Sequence, residues 1–209
     1  MAKLSAIDVA NYFLVLVDRD EGDSITHLKL QKLIYFAQGT SLALTGNLLF
    51  DESLKAWDHG PVSSSVYSHY KIFDKNSIPQ PAEMDFDIYD NTTKHLIHKV
   101  YMEYGEHSAS YLRNLSHSHI SWQKAVSSYD KTINYSDIKI DFTSHNPIKN
   151  LNMSNLDIQA IIDVEDRWWM DYDCGEPSED ITERLIEDLN LFKKDKKSFL
   201  ASLITVEAF

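Results

Sequence analysis

The residues of this chain that could carry acid–base chemistry or bind a metal are its nine histidines and the acids beside them. Asp58 and His59 are adjacent, and a carboxylate can orient an imidazole for general acid–base catalysis. Because neighbouring residues in an extended segment rarely point at each other, this pair is a weak catalytic candidate. His107, His117 and His119 fall in one short region and could ligate zinc. Histidines at this spacing, without a carboxylate in register, are much more often packed or helix-terminal residues than zinc ligands, so we predict no metal.

No other motif completes a catalytic site. Cys174 lies among acids, whereas a nucleophilic cysteine needs positive neighbours. The run from Asp171 to Glu176 resembles a calcium loop, but its glycine is at position five and an EF-hand requires it at position six. The sequence contains no GxxxxGK[ST] loop, no GxGxxG fingerprint, no GxSxG elbow and no HExxH helix. We therefore predict no catalytic residue and no cofactor, and we expect a protein that is not an enzyme.

The charge balance restricts the partners. The chain has 32 acidic and 20 basic residues, a formal net charge of −12. Between residues 157 and 188 there are 12 acids and two bases. Such a stretch repels nucleic-acid phosphates, so we do not expect nucleic acid as a partner. The stretch is either a solubilising surface or a surface that steers a basic protein.

The composition predicts a globular protein of the cytoplasm. A length of 209 residues with 43% hydrophobic residues fits one domain, or one domain with a large appendage. No apolar run is long enough to span a membrane, and Asp8 and Asn11 interrupt the N-terminal apolar segment, which argues against a secretory signal. The single cysteine cannot form an internal disulfide, which suits a reducing compartment.

Most of the candidate functional residues should lie on helices, because glycine and proline are scarce in the sequence. Ser5 and Asp8 form a capping pattern that starts a first helix. Thr26 is the expected N-cap of a second helix that Gly46 ends. Gly39 lies inside that helix, which predicts a neighbouring backbone packed closely against it.

The segments that follow the second helix are predicted to mix strand and helix. Residues 48–50 and 54–57 predict a small hairpin, and Gly60-Pro61 is expected to open a third helix. Three further helices are predicted, one ending at Gly105, one around Leu112 and one over 122–126, with a loop over 76–90. The alternation in residues 137–142 predicts a half-buried strand. Two more helices are predicted to begin at Ser154 and near Ser178.

Four stretches carry a resemblance to a known family. They read LKLQKLIYFAQ over residues 28–38, AWDHGPV over 56–62, VYSHY over 66–70 and LRNLSHSHISW over 112–122. Together they resemble the Panacea domain, the family of SocA-like antitoxins that is often described as phage-associated. The resemblance covers roughly residues 5–126. Phe36 and Asp58 depart from the pattern, which more often has tyrosine at the first position and an aromatic or variable residue at the second.

The resemblance implies a mainly α-helical fold with a small β-hairpin. We expect residues 1–126 to form this helical domain. Residues 127–209 would then be a C-terminal extension of one strand, a linker and acidic helices, packed on the first domain.

The resemblance also implies an antitoxin that neutralises a cognate toxin by direct binding. One branch of the family acts as an adaptor that delivers its toxin to a Clp-type protease. Two alternatives remain open: a hydrolase that uses Asp58 and His59 with His117 or His119, and a phage or mobile-element interaction protein with no toxin partner.

The residues expected to bind the partner lie on the second helix, at the hairpin corner and just after it. Trp57 has two interpretations of equal weight, an interface anchor or a residue that pins the hairpin to the core. The full set of predicted partner-binding residues is Lys29, Gln31, Lys32, Trp57, His59, Gly60, Pro61 and Tyr67.

Overall fold

The computed structural model describes residues 4–149 and 163–164, which lie within one compact unit, Met1–Trp169. The described part is mainly helical with one two-stranded antiparallel hairpin, so the predicted fold class is confirmed. None of the helices in this part is long and apolar enough to cross a membrane. The elements are α1 (Ala6–Leu16), α2 (His27–Thr45), β1 (Leu54–Trp57), β2 (Gly60–Ser63), α3 (Ser64–Tyr70), α4 (Asn91–Tyr104), α5 (Ala109–Ser118), α6 (Ile120–Val126) and α7 (Tyr135–His145).

Helix α2 lies at the centre of the fold and contacts α1, α3, α4, α5, α7 and β2. Every residue from Leu30 to Leu42 is buried, as expected for a helix that is covered on all sides. Both predicted ends are confirmed: the Thr26 hydroxyl accepts a hydrogen bond from the Lys29 amide, and Gly46 adopts the left-handed conformation with φ of 77°.

The other short-range helix signals are also confirmed. Ser5 and Asp8 form a reciprocal capping box at the start of α1. Gly105 is the C-cap of α4, and α5 and α6 occupy the two segments predicted before residue 127. The predicted loop over 76–90 contains the short 3₁₀ turn Phe86–Ile88 and an isolated β-bridge between Ser77 and Thr26.

The predicted hairpin partner was wrong. Strand β1 pairs with β2, which follows it across the two-residue turn Asp58-His59, and the segment 48–50 does not pair with β1. Gly60 has φ of 97°, a conformation that glycine adopts without strain, and this residue makes the tight turn possible. Gly60-Pro61 therefore starts a strand, and α3 begins only after the N-cap Ser63.

The strand predicted over residues 137–142 was also wrong, because this segment lies in helix α7. Ile138 and Phe142 are buried four residues apart and so share one helical face, whereas Ile140 is 58% exposed. The alternating apolar residues fit the two-residue period of a strand, but packing against α2 stabilises the helix. The domain boundary at residue 126 stays a prediction.

Gly39 allows α7 to approach α2. A Cβ atom at this position would lie 2.2 Å from a ring atom of Phe142, so any larger residue would collide with the ring. The predicted close approach at Gly39 is present, but the group that approaches is an aromatic side chain and not a backbone.

Three sequence predictions lie outside the described residues. They are the helices expected from Ser154 and near Ser178, the acidic stretch over 157–188 apart from its residues 163 and 164, and Cys174.

Candidate functional site

Two polar side chains of α2 hold the hairpin in place. The Gln31 amide makes two hydrogen bonds to the main chain of Ser63: its oxygen accepts from the Ser63 N–H at 2.8 Å, and its nitrogen donates to the Ser63 carbonyl at 3.3 Å. The Lys32 ammonium donates to the carbonyl oxygen of Pro61 at 2.8 Å. Buried backbone groups need such partners, so these contacts fix β2 against the central helix.

The Lys32 side chain is fully buried, which is unusual for a lysine. Burial, together with the nearby Arg113 guanidinium, which acts in the same direction, lowers its pKa to about 7. Gly60 leaves the space that the ammonium fills, because a Cβ there would lie 2.6 Å from Lys32 Nζ.

Four of the predicted partner-binding residues are therefore not part of an exposed surface. Gln31, Lys32, Gly60 and Pro61 are all buried in the contact between α2 and the hairpin, and we call them the corner frame. The sequence suggested that the two α2 residues were polar positions beside the core stripe. The structure corrects this, because their polar groups are bonded to main-chain atoms of β2.

The other side of the same corner is exposed and aromatic. Trp57 and Tyr67 are 36% and 37% exposed, and their rings meet edge to face with centroids 4.8 Å apart. His59 is exposed in the turn between the strands. We call Trp57, His59 and Tyr67 the corner surface. The ring of Trp57 is neither fully buried in the core nor free in solvent, so the structure alone does not decide between an interface anchor and a residue that pins the hairpin.

Three residues that the sequence analysis did not select for partner binding support the corner surface. The Trp122 indole donates to the Trp57 carbonyl at 3.2 Å, and the His117 ring stacks on Trp122 at 3.8 Å. On the other side, the His27 ring lies 5.1 Å from the Tyr67 ring. The signal for His117 and Trp122 was present in the LRNLSHSHISW block, but only the fold shows that this block touches the hairpin.

Lys29 lies on the first turn of α2 and is half-buried. Burial lowers its pKa, and the charge of Asp23 opposes this shift. Among the described residues, no hydrogen bond joins the Lys29 side chain to the corner surface. Its role in partner binding stays a prediction.

His117 and His119 point to different parts of the molecule. His117 packs on Trp122, and burial lowers its pKa, with the charges of Lys32, Arg113 and His59 acting in the same direction. His119 Nδ1 is instead 2.7 Å from the Tyr35 hydroxyl, which is also 3.0 Å from Ser121 Oγ. Burial lowers the pKa of His119 as well. In the described part of the chain, no group of three or more His, Cys, Asp or Glu side chains could hold a metal ion.

Asp58 and His59, the residues of the hydrolase alternative, are both exposed in the hairpin turn. Within residues 4–149, no hydrogen bond links the Asp58 carboxylate to the His59 imidazole. His59 is close enough to His117 for its charge to lower the pKa of that residue. His119 bonds to Tyr35 in the interior, so the four residues do not converge on one cleft.

Residues 30–123 match the family described as "Antitoxin SocA-like, Panacea domain". The resemblance seen in the sequence is thereby confirmed over this segment. The matched range includes α2 beyond its first turn, the hairpin, α3 to α5 and the start of α6, and so contains the corner frame and the corner surface. The family name indicates an antitoxin-like protein and favours a role other than catalysis. No curated protein and no solved structure matches the chain.

Proposed function

We propose that this protein is an antitoxin that neutralises a cognate toxin by binding it directly through the corner surface. The observation that carries the proposal is the partly exposed pair of Trp57 and Tyr67, whose rings are in contact. Both residues lie in the segment that matches the Panacea domain. Partly exposed tryptophan and tyrosine residues supply most of the binding energy in many protein interfaces.

The corner frame supports this proposal because it makes the surface rigid before a partner arrives. Hydrogen bonds from Gln31 and Lys32 fix β2, and the Trp122 indole fixes the main chain at Trp57. A surface that is already ordered loses less conformational entropy on binding than a flexible loop does. Apart from Lys29, the predicted partner-binding residues would thus divide into a contact group, the corner surface, and a positioning group, the corner frame.

The remaining elements of the proposal come from the sequence. The acidic residues between 157 and 188 would steer a basic partner, so reversing several of them should slow association and weaken its dependence on salt. Delivery of the toxin to a Clp-type protease is a further possibility within the same role, and it would make toxin loss depend on that protease. We place this activity in the cytoplasm.

The test is rescue of growth in cells that express the product of a neighbouring open reading frame that is toxic when expressed alone. We expect the wild-type protein to rescue growth, and Trp57→Ala to need a higher dose for the same rescue. Tyr129→Ala is the matched control, since Tyr129 is a fully exposed aromatic residue outside the corner surface. The variant Trp57→Ala keeps the main-chain carbonyl that Trp122 binds, and its melting temperature should stay close to that of wild type.

The outcomes separate the proposal from its alternatives. Rescue by wild type with no complex detectable between the two proteins would contradict direct binding and favour an enzymatic mechanism. Loss of rescue in Asp58→Asn and His59→Gln variants that still bind the toxin would support the hydrolase. The absence of any toxic neighbour would favour an interaction protein without a toxin.

A further inference from the structure

A second candidate site lies apart from the residues of the corner surface. A cavity of about 550 Å³ is lined by residues of α2, α4, α5, α6 and α7. This volume is in the range of sites that bind small molecules or one or two side chains of a partner. None of the corner residues lines it, so an inference about the cavity does not depend on the proposed function.

Aromatic rings form much of the cavity wall. Phe36 and Tyr104 stack with their centroids 4.3 Å apart and their planes 15° from parallel. Phe142 packs edge to face against Phe36 at 5.8 Å. Tyr111, which is 51% exposed, lies beside His107 with ring centroids 4.4 Å apart. Ring faces of this kind attract cations as well as other flat groups.

The charged groups of the lining are all acidic. The lining residues, every one of them described, include the carboxylates of Glu103 and Asp141 and neither lysine nor arginine. Asp141 is buried, and its two oxygens accept the N–H groups of Ile120 and Ser121 at 3.1 and 2.8 Å. These bonds fix the Asp141 side chain at the cavity wall.

Three histidines complete the polar lining, His107, His119 and His145. Burial lowers the pKa of His119 and so favours its neutral imidazole, although the charge of Asp141 opposes the shift. Its Nδ1 atom is engaged with the Tyr35 hydroxyl. His119, which lies close enough to Asp141 for that charge to affect its pKa, therefore offsets little of the negative charge there.

We propose that this cavity binds the guanidinium group of an arginine side chain that a partner protein presents. The aromatic walls fit the flat faces of the group, and the carboxylates fit its charge and its N–H donors. Arginine is among the residues that most often anchor protein interfaces. A phosphate-bearing ligand is disfavoured because the two carboxylates would repel it.

The experiment uses the full chain, three small probes of similar flat shape and one nucleotide. Benzamidine carries the positive charge of arginine, benzamide is its neutral analogue, benzoate is negative, and adenosine monophosphate tests for a nucleotide site. Binding is measured by NMR titration of the aromatic and histidine ring signals. We expect benzamidine to bind at least about threefold more tightly than benzamide, the size of a modest cation–π attraction, and benzoate to bind most weakly.

A matched pair of variants tests the charge. Glu103→Gln should reduce the affinity for benzamidine about twofold and leave that for benzamide unchanged, as expected for an exposed carboxylate. Glu106→Gln, three residues away and outside the lining, should change neither. Equal binding of benzamidine and benzamide, tighter binding of adenosine monophosphate, an unchanged affinity in Glu103→Gln, or no binding of any probe would each overturn the proposal.

Discussion

Replacing the buried lysine of the corner frame should change how the stability of the protein depends on pH. The pKa of Lys32 is lowered from 10.5 to about 7 by burial, whereas in the unfolded chain it returns to its ordinary value. Between these two values the unfolded state binds more protons than the folded state. The free energy of unfolding must therefore rise with pH across this window.

The magnitude follows from the same two pKa values. Linkage limits the slope for one group to about 1.4 kcal/mol per pH unit, and integration from about pH 7 to about pH 9 gives a gain of roughly 2 kcal/mol. Lys32→Met keeps the length of the side chain and removes the charge. The difference in unfolding free energy between wild type and this variant should therefore shift by roughly 2 kcal/mol in favour of wild type over that range.

The assay is urea unfolding followed by tryptophan fluorescence at several pH values. Tyrosines must stay neutral in both states, so the upper limit is kept near pH 9. Lys75→Met is the control, because Lys75 is exposed in the folded protein and should leave the pH dependence unchanged. Parallel curves for wild type and Lys32→Met would refute the argument, since they would mean that Lys32 is not desolvated in the folded state.

Two further substitutions test the contacts that organise the fold around α2. Gly39→Ala should lower the free energy of unfolding by roughly 1–3 kcal/mol, although alanine has the better helix propensity, because the new Cβ would collide with the ring of Phe142. A melting temperature equal to or above that of wild type would show that α7 does not pack there. Gln38→Leu should cost roughly 3 kcal/mol in urea unfolding, because the Gln38 amide bonds the main chain at Leu49 and Phe50 and both segments are buried. A cost below about 0.5 kcal/mol, the level expected for an ordinary surface substitution, would contradict this role.

The sequence predicted those features of the fold that depend on a few adjacent residues. The capping box of Ser5 and Asp8 and the glycine stop at Gly46 were confirmed because a cap involves only the first or last turn of a helix. The family resemblance was confirmed for a related reason, since its motifs are short and ordered along the chain.

The features that were missed depend on contacts between distant residues. The strand partner of β1 is decided by the left-handed turn at Gly60 and by Gln38, whose side chain holds the main chain at Leu49 and Phe50. Likewise, the choice of helix for residues 137–142 depends on the space left by Gly39. No local pattern contains this information.

The sequence grouped the residues of the corner but did not indicate which of them are buried. The motifs placed Trp57 and Tyr67 together with Gln31 and Lys32, and the structure brings all four to one corner. Burial of the last two could not be read from their polarity, because lysine and glutamine are mostly exposed in proteins. These two side chains can be buried because they bond to main-chain donors and acceptors on β2. Only the folded structure brings those groups close to α2.

The most direct test of direct neutralisation is the affinity of the purified protein for its toxin, measured by calorimetry for wild type, Trp57→Ala and Tyr129→Ala. A desolvated tryptophan anchor contributes on the order of 2 kcal/mol, so the dissociation constant of Trp57→Ala should rise about 30-fold. Tyr129→Ala should bind as wild type does. Folded Trp57→Ala protein that binds the toxin as tightly as wild type would contradict the proposed surface.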